Sequence, residues 1–164
     1  MQDSPSQRNP EIAHFLSRNQ VAVLATANKT TGEPNASVIY YTSTSQLNVF
    51  FVTKANTQKA RNIKTNPLVA LTVFEAANQA TLAINGTAEE VDDPERLNSA
   101  LEIMTGNAKK SSDTEVLPIS RLDAGNYVLY KITPTKTSLT QYKYTDQEHM
   151  TTYVLPPTES LDQK

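Results

Sequence analysis

From Glu33 to Glu75 the sequence carries no intervening acid, and Lys54, Lys59, Arg61 and Lys64 gather inside that gap. The stretch from Phe50 to Phe74, FFVTKANTQKARNIKTNPLVALTVF, sets these cations between apolar runs, although the 164-residue chain has a formal net charge of −2. A local positive cluster in a negative chain points to one anion held at one place. The spacing refines this. A strand ends at Val52 and Thr53, and Thr57 is a suitable N-cap for a helix ended by Asn66-Pro67. At such a helix start several backbone N–H groups lack partners, and the helix dipole adds about half a positive charge. Thr53 and Thr57 add hydroxyls. Lys59 falls in the first turn, where the dipole disfavours a cation unless an anion lies over the helix end. A phosphate monoester is the natural occupant. A plainer description fits the same residues, with the bases forming the solvated face of a short helix and Thr57 serving only as its cap. Local physics leaves both open.

Those residues need a frame to position them. Residues 1–9 read as a disordered tail, and Asn9-Pro10-Glu11 opens a short helix with Ile12, Ala13, Phe15 and Leu16 on its buried stripe. The run VAVLATA (21–27) reads as a fully buried strand, ASVIYYT (36–42) as a second and LNVFFVT (47–53) as a third. Their short polar joints favour an antiparallel meander. LVALTVF (68–74), ATLAINGTAEEV (80–91) and YVLYKIT (127–133) supply three more strands. Asp92-Asp93-Pro94-Glu95 opens a second long helix with Leu97, Ala100, Leu101 and Met104 inward and Gly106 just past its end. The whole predicts a mainly β fold, a six-stranded antiparallel barrel with flanking helices, over residues 10–140. Residues 141–164 read as a polar C-terminal tail available to a partner subunit.

Composition removes several classes of function. There are no cysteines, so thiolate metal sites, disulfides and a Cys nucleophile are excluded, and two histidines, His14 and His149, are too few for an all-His metal cage. The acidic balance argues against nucleic-acid binding. No apolar run reaches the roughly 20 residues of a membrane-spanning helix, and the polar N-terminus lacks a signal-peptide core, so a cytoplasmic protein is expected. No metal site is expected either. Four glycines, at 32, 86, 106 and 125, form no phosphate-binding glycine loop.

Three segments in order, LATANKTTGEPNASVIYY, LNVFFVTKANTQKARNIKTNPLVALTVF and INGTAEEV, resemble the pyridoxamine 5′-phosphate oxidase-like FMN-binding split-barrel family. The resemblance rests on a Gly-x-Pro turn, a Phe-Val-Thr strand end leading to Thr-x-Lys-x-x-Asn-x-x-x-Asn-Pro, and a Gly-bearing strand before an acidic helix start. It implies a split barrel that holds FMN at a homodimer interface. Carried over, Lys59 is the phosphate-binding lysine with Thr57 beside it. Gln58 takes a place where relatives often have Arg. Val52 and Thr53 match the strand end that contacts the flavin. Ser37, Val38, Ile39 and Tyr40 match the segment along the ring and ribityl chain, with Ser37 at another frequent Arg position and Thr42 where some relatives have Lys. Thr81 matches a ring-contacting position contributed by the partner subunit. The oxidases of the family share a C-terminal Trp, Arg and His. This chain has no Trp and no Arg after Arg121, which argues against vitamin B6 oxidation.

No catalytic side chain is recognisable, so any redox chemistry would belong to the cofactor. Tyr40, Tyr41, Tyr127 and Tyr130 are expected in core or interface packing, His14 in packing, and His149 in solvent. The resemblance implies a flavin-dependent oxidoreductase acting on a small substrate, with a nicotinamide as one candidate electron donor. The rivals are a non-enzymatic FMN-binding or stress-response module, the haem or deazaflavin binding of some relatives, and a dimeric barrel without cofactor.

Overall fold

The hydrophobic periodicity resolves into three α-helices, a 3-10 turn at Ala76–Asn78 and eight strands in a computed structural model that describes residues 5–111, 126–143 and 149–155. The helices are α1 (Pro5–Arg18), α2 (Gln58–Thr65) and α3 (Pro94–Ser111). The strands are β1 (Val21–Ala27), β2 (Pro34–Tyr40), β3 (Thr42–Ser43), β4 (Val49–Lys54), β5 (Leu68–Glu75), β6 (Ala80–Val91), β7 (Tyr127–Lys143) and β8 (His149–Leu155). All pairings are antiparallel, in the order β2-β1-β5-β6-β7-β4-β3, with β8 also on β7. The two ends of that order, β2 and β3, are consecutive in the chain and separated only by Tyr41. The sheet must therefore curl back on itself, and the split of the barrel lies at this residue.

The six expected strands are all present, and β3 and β8 are additions. The expected meander is not formed. The run 36–42 breaks at Tyr41, whose N–H donates to the Gln20 carbonyl at 3.1 Å. Its first part pairs with β1, while Thr42–Ser43 pairs with β4, which then runs along β7. One apolar run thus serves both sides of the split.

Three further boundaries differ from the sequence reading. Helix α1 begins at Pro5 and carries Pro10 inside it, so residues 5–9 of the expected tail are helical. Helix α3 runs through Gly106, where added Cβ atoms would meet nothing within 4 Å. At the C-terminal end, residues 141–143 extend β7, and β8 pairs with the far half of that strand instead of forming a loose tail. Residues 1–4, 112–125, 144–148 and 156–164, and the side chain of His149, lie outside the described residues.

Two apolar clusters follow from alternation along the strands. Inside the barrel, Leu24, Ile39, Phe51, Leu71, Leu82 and Tyr130 pack under the α1 residues Ile12, Phe15 and Leu16. Phe51 and Tyr130 stack with centroids 5.4 Å apart. The Tyr41 hydroxyl donates to the Leu16 carbonyl at 3.0 Å and ties the split to α1. Outside the barrel, α3 lays Ala100 and Met104 over Leu129, with Tyr40, Phe50 and Val52 around them.

Among the described residues, no helix covers the outer face of β2-β1-β5. β1 is consequently not buried on both sides as expected: Ala22, Leu24 and Thr26 point inward, whereas Val21 and Val23 are 43% and 45% exposed. Val38 pairs opposite Val23, and Leu68 and Phe74 extend the exposed apolar patch along β5.

Candidate functional site

Strand β4 turns into α2 through an elbow at Lys54–Thr57. Thr57 is the N-cap, in extended conformation (φ −77°, ψ 158°), and its hydroxyl accepts from the Ala60 N–H at 3.4 Å. The same hydroxyl donates to the Lys54 carbonyl at 3.0 Å. With its proton committed there, the 3.2 Å contact between Thr53 and Thr57 requires Thr53 to donate. Thr53 is buried on the inner face of β4. Both hydroxyls thus brace the elbow instead of facing outward as free donors.

With both hydroxyls committed, the backbone still offers open donors. Thr57 N–H bonds to Lys54, Ala60 N–H to the cap and Arg61 N–H to the Thr57 carbonyl, but the Gln58 and Lys59 N–H groups have no partner among the described residues. Lys59 carries its side chain on the same first turn. It is half-buried and forms no ion pair among the described residues, and desolvation lowers the pKa of its ammonium. A partly desolvated cation without an ion pair among the described residues, on the same helix turn as two open N–H groups, is an arrangement that can take an anion. A phosphoryl group fits this donor set.

Helix α2 is held by side-chain bonds that the cation pattern did not reveal. Asn62, 2% exposed, donates from Nδ2 to the Thr26 hydroxyl of β1 at 3.1 Å, and Gln58 donates to Asn62 Oδ1 at 2.9 Å. Asn66, the C-cap, reaches the Ala27 carbonyl at 3.3 Å. A signal for Asn62 existed: it is polar yet adjacent to Ile63 on the buried side of an eight-residue helix.

The other residues expected at the site divide by strand parity. Val38 and Tyr40 point outward from β2, and Val52 joins Tyr40 in the cluster beneath α3. Ile39 is 5% exposed in the barrel core, so only its backbone can meet a ligand on the outer face. Ser37 points inward opposite Leu24, and its hydroxyl is buried without a partner among the described residues. Thr81 pairs opposite the outward-facing Phe74, three strands away from β2. The structure therefore puts Val38, Tyr40 and Val52 on the outer surface, and Thr53, Thr57, Gln58 and Lys59 at the elbow. Thr81 stands apart from both.

At the opposite end of β4, between α3 and the β3–β4 hairpin, lies a groove of about 470 Å³ that the sequence did not suggest. Thr42, Thr44, Asn48, Phe50, Ser99 and Lys131 contribute to its walls. Its two cations are already matched. Lys131 Nζ is 3.0 Å from Glu89, and Arg96 Nε is 3.2 Å from Asp93.

With this geometry the barrel can be placed among known proteins. Residues 9–141 match the family model for pyridoxamine 5′-phosphate oxidase, and the chain belongs to that family. Among solved structures it is similar to the conserved hypothetical protein Rv2991 from Mycobacterium tuberculosis, with 24% identity and a TM-score of 0.63 over 77% of this chain and 80% of that one. The haem storage protein HutZ from Vibrio cholerae aligns with 22% identity and a TM-score of 0.57, covering 76% of this chain and 88% of its own. General Stress Protein 26 from Bacillus anthracis gives 19% identity and a TM-score of 0.60, covering 79% and 92%. At such identities the likeness establishes the fold. No curated protein has significant sequence similarity to the chain. Among the described residues, no helix is long and apolar enough to cross a membrane.

Proposed function

We propose that this protein binds FMN with the phosphoryl group on the β4–α2 elbow, as a homodimer, and acts as a flavin-dependent oxidoreductase on a small substrate. One observation carries the reading: in a member of this family, the half-buried Lys59 forms no ion pair among the described residues and shares the first turn of α2 with the open N–H groups of Gln58 and Lys59. Bound FMN would supply two-electron redox chemistry through hydride transfer. The chain's own residues hold and orient it. Lys59 and the two N–H groups take the phosphoryl charge, Thr53 and Thr57 keep the elbow rigid, and the outward Val38, Tyr40 and Val52 offer an apolar bed for a flat ring. A nicotinamide is the candidate electron donor.

The uncovered face of β2-β1-β5 supports the dimer. Val21, Val23, Val38, Leu68 and Phe74 form an apolar surface of the kind that a two-fold interface buries. Pairing there would also explain how Thr81, remote from β2 within a subunit, reaches a ring on the other one. Haem has less support. His14 Nδ1 lies 3.2 Å from Arg18 Nη1, and a guanidinium can only donate, so that nitrogen accepts and the neutral ring carries its proton on Nε2, the nitrogen left for a metal.

Titration of the purified protein with FMN tests the reading. A yellow complex with quenched flavin fluorescence, one flavin per subunit and a dimeric mass by light scattering are expected. No binding at micromolar FMN would overturn it. Mixing the complex with reduced nicotinamide in a stopped-flow instrument then separates an enzyme, whose flavin bleaches, from a module that only binds.

A further inference from the structure

Gln58 lies at the helix start with an amide where a cation would serve an anion better, and the missing charge is returned from one turn along α2. Arg61 doubles back: its Nη1 donates to the Asn56 carbonyl at 2.5 Å and its Nη2 to Gln58 Oε1 at 2.8 Å. A guanidinium has no acceptor, so Gln58 must present its oxygen to Arg61 and its nitrogen to Asn62. Asn62 must then accept on Oδ1 and donate from Nδ2 to Thr26. The charged end thus fixes the direction of every bond from Arg61 through Gln58 and Asn62 to Thr26. The far end is anchored in the barrel, with Asn62 and Thr26 only 2% and 4% exposed.

The two residues that grip Arg61, Asn56 and Gln58, flank the N-cap Thr57, so the guanidinium is held at the end of α2 that carries the open N–H groups. It forms no ion pair among the described residues. Two of its five N–H donors are used, which leaves Nε–H and one hydrogen on each terminal nitrogen. Arg61 and Gln58 are exposed, and a ligand can reach them.

We propose that Arg61 is a second phosphoryl ligand and that Gln58 is its positioning residue, so that a polarised amide relay replaces an arginine at position 58 and gives the site its preference for FMN over riboflavin. This rests on the FMN reading above. The test compares FMN and riboflavin titrations of the wild type with Lys59→Ala, Arg61→Ala, Gln58→Ala and the double variant Gln58→Arg/Arg61→Ala. Arg61→Ala is expected to weaken FMN about tenfold and leave riboflavin unchanged, in line with a hydrogen bond to a charged group. Gln58→Ala, which frees the guanidinium without removing it, is expected to cost about threefold, as an ordering effect does. The double variant should return FMN affinity to within about threefold of wild type, because it moves a guanidinium to the helix start. If Lys59→Ala weakens FMN selectively but Arg61→Ala leaves FMN and riboflavin unchanged, or weakens both alike, the role of Arg61 is overturned and the FMN site stands. If wild type binds FMN no more tightly than riboflavin, the phosphoryl site itself fails and the proposal with it. Unchanged thermal melts of the variants exclude a folding cause.

Discussion

The two ends of β4 both carry cations, and they differ in whether the chain supplies its own acids. Near Phe50, Lys131 and Arg96 sit 3.0 and 3.2 Å from Glu89 and Asp93. Beyond Lys54, Lys59 and Arg61 form no ion pair among the described residues, and no acid occurs in the chain between Glu33 and Glu75. Matched surface charges contribute little and attract little. Unmatched charges, one of them partly desolvated, lower the cost of bringing in an anion. The difference teaches that the location of acids separates the two ends of β4 better than the location of bases does, and it is the unmatched end that the proposed function uses.

The largest expected effect breaks the unmatched end. Lys59→Ala should reduce FMN affinity about a hundredfold and riboflavin affinity hardly at all, measured by fluorescence quenching. The sign of its pH dependence also follows. Burial lowers the Lys59 pKa, so the free protein loses this charge at a pH below the ordinary 10.5, and FMN affinity should begin to fall there. Asn62→Ala comes next. It removes a buried amide that satisfies Thr26 and orders Gln58, and should cost about 2 kcal/mol in urea unfolding.

A matched pair sharpens the contrast. Arg18 holds Glu75 through two bonds of 2.8 Å, and the Arg18 bond, with a further one from Asn78, lowers the carboxylate pKa from its ordinary 4.5. A lowered folded pKa stabilises the fold fully above the ordinary value and fades as pH falls through the folded one. Glu75→Gln should therefore cost about 0.5 kcal/mol at neutral pH, a modest amount for a partly exposed pair, and its deficit should shrink below pH 4.5 in thermal melts. The smallest effect belongs to Lys131→Ala: FMN affinity within about twofold of wild type and stability within about 0.5 kcal/mol, by the same titration and melt.

Much of this was legible from residue order, for identifiable reasons. Local rules set α2: a Thr cap, an Asn-Pro stop and the buried Ala60 and Ile63 act within a few residues, and the helix runs from Gln58 to Thr65 as those signals require. The six strands were likewise visible as apolar runs. Tertiary placement was less accessible. The run 21–27 looks doubly buried because small and β-branched residues suit a core and an uncovered apolar face equally well. Tyr41 breaks a continuous run because of a hydrogen bond to Gln20 and a hydroxyl contact with α1, and neither is encoded locally. At the elbow, the residue types suggest an anion, but the use of the Thr53 and Thr57 hydroxyls in bracing, which leaves the Gln58 and Lys59 N–H groups open among the described residues, depends on the folded arrangement.

The course of β4 has a kinetic consequence. Its long partner is β7, so that Thr53 faces Val128 across an intervening seventy-odd residues. Until the later strand arrives, the β4–α2 elbow hangs from a ribbon whose one other sheet neighbour among the described residues is the two-residue β3. Such distant pairing slows folding and leaves a hydrogen-bonding edge exposed to other chains meanwhile. The β4–α2 elbow is therefore expected to gain its full sheet support only when β7 docks, so amide protection on β4 during refolding should rise together with that on β7.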